Sequence, residues 1–421
     1  MQAYHLSKPT PNLVGTIYLD GSKSISNRAL VINALCRQPA QLHNCSTSDD
    51  TKVLQHALQH LPATIDIGAA GTSMRFLTAY LATQQGQQHT LTGSTRMKQR
   101  PIALLVEALQ ALGAKIDYVD QKGFPPLHIV GQQLKGRQIT IDSSMSSQYV
   151  SALLLIAPLL EGGLTLQLSG STVSESYIAM TLSVMADFGV EVEQDGERLV
   201  VQQQHYQAPQ QYWIESDWSA ASYYYSLAAM TLAKGEQCEL CLQTLRTTSR
   251  QGDSAIQQIG THFGVQTIAH TTQIMLQATN QHGDNVAYLN CLTCPDIVQT
   301  IAVMAAALGK TLQLDGLQTL RIKETDRTAA LVTELAKIGV NFVPINENCW
   351  QVQPLRPLHE ITTTPIFDTY DDHRMAMALA PLSLLLPQGI IIREPSVVSK
   401  SYPNFWKDLA ILGFQIKTIN G

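Results

Sequence analysis

The chain has 421 residues, 45% of them hydrophobic and 14% charged, with a formal net charge of −5. That length calls for more than one core, so two domains are the default, and the composition excludes a disordered chain. The acidic balance argues against a nucleic-acid partner, which needs a basic face.

The polar start, residues 1–10, lacks the apolar stretch of a secretory signal. The apolar run near 375–392 is interrupted by Pro381, Pro387 and Gly389 and is too broken to span a membrane. A cytoplasmic protein with no membrane partner is expected.

Along the chain, one kind of helix begins at Gly21-Ser22-Lys23-Ser24, at 68–72, at Ser146-Ser147-Gln148, at 217–219, at Pro295-Asp296 and at Asp371-Asp372-His373-Arg374. Each opens with small or polar capping residues and continues almost wholly apolar, which implies burial on most sides. A second kind alternates with it and ends in hydrophobic–Gly–hydrophobic. The glycines are Gly113, Gly189, Gly264, Gly339 and Gly413, spaced 76, 75, 75 and 74 residues apart. Glycine there suits a left-handed helix C-terminus, after which a strand begins.

The chain therefore reads as α/β, six copies of one unit in two groups of three, with a boundary near Glu215. The first unit is short: its second helix ends near Leu61, and a hairpin or strand pair is expected to be missing between Leu61 and Gly68. Seven cysteines, an odd number, argue against a disulfide framework. Cys238 with Cys241, and Cys291 with Cys294, have spacings that could hold zinc. The first pair falls on an expected strand, where residues three apart face opposite ways, so buried thiols are the favoured reading and no metal is expected.

The polar helix starts carry the chemistry. A helix N-terminus offers unpaired N–H groups and a positive dipole end, so it receives anions. Lys23, Ser24 and Arg28 lie in the first such start and Arg75 in the second. Arg96, Lys98 and Arg100 precede Pro101, which suits a first helical turn. Lys323 and Arg327 are four apart, hence on one helix face. His373, Arg374 and Lys400 complete the set. Taken singly, Ser146, Ser147, Asp217 and Asp296 also read as plain caps, 323–327 as a solvated helix start, and 371–373 as a capping run with an exposed His. Jointly, cations and hydroxyls at equivalent helix starts in an acidic protein indicate a site for small phosphorylated or carboxylated molecules. Glu324 and Asp296, beside lysines, could supply acid–base chemistry. No phosphate loop, dinucleotide turn or zinc-protease motif competes.

The stretches Gly21 to Ala29, Arg96 to Pro101, Ser146 to Gln148, Lys323 to Arg327, Asp372 to Ala376 and Lys400 to Pro403 resemble, in order, the signatures of 5-enolpyruvylshikimate-3-phosphate synthases. The resemblance implies the inside-out barrel of the enolpyruvyl transferases: two domains of three α/β units, residues 21–215 and 1–20 plus 216–421, the first unit shortened. Buried helices would point their N-termini at an active site in the cleft between the domains. It implies transfer of the enolpyruvyl group of phosphoenolpyruvate to the 5-hydroxyl of shikimate 3-phosphate, with release of phosphate, on the path to chorismate and aromatic amino acids. By resemblance, Ser24 and Arg28 hold the shikimate carboxylate, and Ser146, Ser147, Ser174 and Tyr177 its phosphate. Lys23 serves both substrates and Gln148 lies between them, while Asp296 and Lys323 contact the shikimate hydroxyls. Gly71, Arg100, Arg327, His373, Arg374 and Lys400 surround phosphoenolpyruvate. The catalytic residues would be Glu324, protonating the methylene carbon, with Lys23 and Asp296 handling the hydroxyl proton. No cofactor is implied, and a monomer is expected.

Five positions depart from the family pattern: Ala69 replaces an Asn, Phe76 a Pro, Thr319 an Asn, Glu175 a Lys and Asp371 an Asn. Ala69, Phe76 and the short first unit adjoin the phosphoenolpyruvate subsite or its supporting helix. Two alternatives stand beside this reading. One is a non-catalytic anion-binding paralogue, supported by Ala69 and the short unit. The other is a UDP-N-acetylglucosamine enolpyruvyl transferase, which Ser24 after Lys23 and the absence of cysteine between Arg96 and Gly113 disfavour.

Overall fold

The structure, a computed structural model, describes residues 2–144, 146–170, 175–279 and 286–420. The chain divides into two compact units, Gly21–Ile214 and Met1–Asp20 with Glu215–Gly421. The described residues of Gly21–Ile214 contain α1 (Lys23–Leu35), α2 (Asp49–His60), α3 (Gly71–Ala82), α4 (Ala103–Ala111), α5 (Ser147–Ile156) and α6 (Glu175–Asp187). The other unit contains α7 (Trp218–Ala233), α8 (Ile256–Thr261), α9 (Val298–Ala307), α10 (Arg327–Ala336), α11 (His373–Leu379) and α12 (Phe405–Ile411).

The odd-numbered helices are the buried ones. All of α11 is buried, as is every residue of α3 except Thr72 and every residue of α5 except Gln148. Such helices have no polar face to present to water, so their stability comes from being surrounded. Those of each unit lie in that unit's own hydrophobic core. The even-numbered helices from α4 onward are followed within three residues by Gly113, Gly189, Gly264, Gly339 and Gly413, all at positive φ. This is the left-handed exit that the recurring glycines predict.

Each complete repeat is a strand, a buried helix, a parallel strand, a second helix and a closing hairpin. Strand Gln138–Asp142 leads into α5 and pairs in parallel with Leu164–Ser169, beyond which the hairpin of Glu193–Asp195 and Arg198–Val201 pairs antiparallel. The described residues form five four-stranded sheets and one of two strands. The two-stranded sheet, Gln41–His43 with Gln211–Trp213, belongs to the first repeat. Between His60 and Gly71 the only strand, Thr64–Asp66, joins the next sheet, so the expected hairpin is absent.

Three strands pair far from their sequence neighbours. Leu13–Tyr18 precedes α1 but lies parallel to Cys238–Gln243, beside α7. Gln211–Trp213 precedes α7 but lies parallel to Gln41–His43, beyond α1. Gln2–Ser7 completes the last sheet between Ile390–Arg393 and Gln415–Asn420.

Cys238 and Cys241 alternate along their strand, the first buried and the second half-buried, and burial holds the Cys238 thiol up at about 12. Cys291 and Cys294 are both buried. Among the described residues no helix is long and apolar enough to cross a membrane.

Candidate active site

In the 21–214 unit the candidate side chains gather at the starts of α1, α3 and α5. Ser22 caps α1, and the next residue, Lys23, places its ammonium 3.2 Å from Oδ2 of Asp50 in the first turn of α2. One turn on, Arg28 is buried among neutral groups. Its Nε donates to Thr181 Oγ1 at 2.7 Å, Nη1 to the Ser24 carbonyl at 2.9 Å, and Nη2 to Ser151 Oγ and the Tyr177 carbonyl at 3.2 and 3.0 Å. The rings of Phe76 and Tyr177 lie 5.5 and 6.0 Å from its guanidinium carbon. Burial lowers the Arg28 pKa to about 10, the nearby Tyr177 offsetting part of the effect.

At the start of α3, Gly71 is required for space. A Cβ there would come within 2.6 Å of Arg100 Nη1, so the guanidinium packs directly on the backbone. Arg75 holds the Arg100 segment, donating to the Gly71 carbonyl at 3.2 Å and to the Pro101 carbonyl at 3.0 Å, which also accepts from Tyr149 Oη at 2.5 Å. Pro101 itself precedes the α4 cap, Ile102, rather than lying in the first turn. Ala69 is exposed in the turn before α3, whose cap, Ala70, makes no side-chain bond. At α5, Ser146 accepts from the Gln148 amide at 3.3 Å, Ser147 is buried, and Gln148 Nε2 reaches Thr72 Oγ1 at 3.3 Å. Ser174 lies outside the described residues; Tyr177, one turn into α6, is half-buried.

The other unit builds a denser cluster at the starts of α9, α10 and α11. Arg327 opens α10 and is 1% exposed. Its three nitrogens face three carboxylates: Asp372 at 2.8 Å, Asp296 at 3.3 Å and Glu324 at 2.9 Å. Burial would lower its pKa, but the three carboxylates outweigh that and raise it. Asp372 caps α11 by accepting from the Arg374 amide at 2.9 Å. Arg374 turns back to Asp296, reaching its carbonyl at 2.8 Å and its Oδ2 at 2.9 Å. Lys400 lies 3.2 Å from Glu324 Oε1, and Lys323 3.7 Å from Asp296 Oδ1. His373 is buried beside Asp372, not exposed.

Two local expectations need correction. Lys323 and Arg327 do not share a helix face: α10 begins only at Arg327, capped by Asp326, and Lys323 sits in the preceding turn. They converge all the same, on Asp296. Asp296 itself lies in a 3₁₀ turn, Pro295–Ile297, ahead of α9. Asp371 and Tyr370 both have φ of 55°, a left-handed conformation that Asp accepts more readily than most residues.

Arg75, expected at the second helix start, braces the Arg100 segment. Two residues of the candidate site went unread in the sequence. Asp50 pairs with Lys23, and the run Ser48-Asp49-Asp50 was a visible signal for it. Asp253, on the 3₁₀ turn Gly252–Ala255, is buried and takes a hydrogen bond from Ser219; burial, reinforced by Asp296, holds its carboxyl up at about 7. Nothing local in Gln251-Gly252-Asp253 marks it.

Buried helices opening on arginine, lysine and carboxylate groups, repeated in two units of one topology, define an enolpyruvyl-transferase fold. The EPSP synthase from Acinetobacter baumannii superposes over 100% of both chains with a TM-score of 0.80 at 20% identity. The enolpyruvyl transferase NikO from Streptomyces tendae does so over 100% of this chain and 99% of its own, at 0.76 and 14%. The profile of the family described as EPSP synthase (3-phosphoshikimate 1-carboxyvinyltransferase) matches residues 7–67 and 62–409. The 3-phosphoshikimate 1-carboxyvinyltransferase of Bacteroides fragilis strain YCH46 is 46% identical over 98% of both chains, and that of Idiomarina loihiensis 35% identical over 98% of this chain and 99% of its own. The chain belongs to the EPSP synthase family.

Proposed function

We propose that this chain transfers the enolpyruvyl group of phosphoenolpyruvate to the 5-hydroxyl of shikimate 3-phosphate, as a cytoplasmic monomer of the shikimate pathway. The observation that carries the reading is the cluster in which Arg327, Arg374, Lys323 and Lys400 surround Asp296 and Glu324. Such a cluster combines cations for phosphate and carboxylate oxygens with carboxylates able to carry protons.

The 5-hydroxyl oxygen attacks the enol carbon and loses its proton to Asp296 or Lys23, while Glu324 protonates the methylene carbon. The tetrahedral product then loses a methyl proton and phosphate, restoring the double bond. Arg100, Arg327, Arg374, Lys400 and Lys23 are assigned to phosphoenolpyruvate, with Gly71, Gln148 and His373 beside it. Lys400 and Arg327 both rest on Glu324, so an arriving phosphate competes for them and frees that carboxyl for its acid role.

Shikimate 3-phosphate is assigned to the hydroxyl-rich starts of α1 and α5, with Ser24 and Arg28 at its carboxylate, Ser146, Ser147, Ser174 and Tyr177 at its phosphate, and Gln148, Lys23, Asp296 and Lys323 at its remaining edges. Among the described residues Arg28 donates to two hydroxyls and two carbonyls, all neutral, which leaves its charge available to an anion. Phosphate release from the purified chain, assayed with each substrate alone and with both, tests the reading. Release only with both is expected. Binding of shikimate 3-phosphate without release would instead indicate the non-catalytic paralogue that Ala69 brings into view.

A further inference from the structure

At the far ends of the buried helices of the 215–421 unit, opposite their charged starts, lies a cavity of about 780 Å³. It is bounded by the C-termini of α7 and α9 and by residues 356–359, with Phe263, Leu308, Leu358 and Leu385 supplying its apolar wall. Its volume falls within the roughly 300–1,000 Å³ of small-molecule sites.

Among the described residues, the charged groups that line it are all of one sign: Lys234, Lys310 and Arg356 line it together with His262 and His359, with no Asp or Glu. In a chain of net charge −5, that segregation stands out. Lys234 is steadied by the Leu384 carbonyl at 3.3 Å, and Lys310 by the His262 carbonyl at 2.8 Å and the Phe263 ring 5.3 Å away. Arg356 lies flat against Gly339, where a Cβ would come within 2.5 Å of its Nε.

Helix C-termini are negative, so the balance must be weighed. Each end contributes roughly −0.5 of a charge, against three full positive charges, and the cavity stays positive. The other unit shows that such a base can be closed. There the Tyr206 hydroxyl binds the Leu155 carbonyl at 2.9 Å, and the amides of Gln204 and Gln132 bind the carbonyls of Pro158 and Ala82, each at 2.9 Å.

We propose that this open base is a second ligand site, separate from the reacting groups, for a small aromatic or otherwise apolar molecule bearing an acid group. The apolar wall takes the hydrocarbon body, and Arg356 with the two lysines takes the acid.

The test is a calorimetric titration of the full chain with 2-naphthoate and, in parallel, with uncharged 2-naphthalenemethanol. One naphthoate per chain is expected, with the neutral compound weaker by about ten-fold or more. Arg356→Glu, and separately Lys234→Gln, should weaken naphthoate, the former by about ten-fold, while Lys400→Gln leaves it unchanged. Thermal melts confirm that each variant is folded. No binding, equal binding of the neutral compound, indifference to both base substitutions, or loss in Lys400→Gln would each overturn the proposal.

Discussion

Two arginines near helix starts, Arg28 in α1 and Arg327 at the opening of α10, are both almost wholly inaccessible but live in opposite surroundings. Arg28 is held by two hydroxyls and two carbonyls, and burial depresses its pKa to about 10. Arg327 is held by three carboxylates, which raise its pKa against the effect of burial. The same repeat thus produces two electrostatic sites. One presents a positive charge with neutral neighbours, suited to receiving an anion. The other presents charges already balanced, suited to orienting carboxylates and redistributing protons when a phosphate arrives.

The sharpest way to break that division is at Glu324. If the balanced cluster carries the proton chemistry, Glu324→Gln keeps the shape and loses the proton, and turnover falls by roughly 10²–10⁴, the usual worth of a general acid. Isothermal binding of shikimate 3-phosphate should be unchanged. Turnover within about a factor of three of the parent would remove Glu324 from the mechanism.

Stability separates the two arginines next. Arg327→Met leaves Asp372 buried and unpaired and should cost about 3–5 kcal/mol. Arg28→Met strands only neutral acceptors and should cost about 1–3 kcal/mol. Urea unfolding of both variants measures the gap; equal costs would show that the carboxylates around Arg327 contribute no net stability.

Much of this was legible beforehand, and what was not has a common cause. The five evenly spaced glycines announce the repeat because a left-handed helix exit is a local requirement that few other residues meet. The cations at helix starts were legible because such charges are conspicuous before apolar runs. Pairing was not. Leu13–Tyr18 and Gln211–Trp213 each stand before a buried helix of the expected kind, yet each pairs elsewhere, because strand partnership depends on contacts remote in sequence; only the family resemblance grouped residues 1–20 with 216–421. Asp253 was illegible for the same reason: its importance comes from its distance to Asp296 and Ser219. Asp372 was read as a cap, which it is; that its other oxygen binds Arg327 is a tertiary fact. The spacing of Lys323 and Arg327 misled in detail, since the helix starts only at the second of them.

Asp253 offers a pH test confined to the balanced cluster. Its carboxyl sits at about 7 in the folded chain, above its ordinary value of 3.8, so the folded state holds the proton more tightly than the unfolded one. Its stabilising contribution is therefore fully present below about pH 4 and lost as pH rises through about 7. At about 1.36 kcal/mol per pH unit, the loss is on the order of a few kcal/mol. Asp253→Asn should flatten the stability profile between pH 4 and 8, measured by urea unfolding in one buffer series. A slope unchanged by the substitution would place the titrating group elsewhere.

The smallest effects decide whether the polar helix starts are caps or ligands. Asp217 accepts from the amides of Ser219 and Ala220 at 2.8 and 3.2 Å, the geometry of a working cap. Among the described residues the Ser146 side chain makes one long bond, 3.3 Å, to the Gln148 amide. A cap is worth about 1 kcal/mol, so Asp217→Ala should lower stability by about that amount and leave the KM for shikimate 3-phosphate alone. Ser146→Ala should do the reverse, costing well under 1 kcal/mol of stability because its cap bond is weak, while raising that KM. A Ser146 variant that loses stability and keeps its KM would make the start of α5 a plain cap, and would leave Arg28 as the main group holding the anion in that unit.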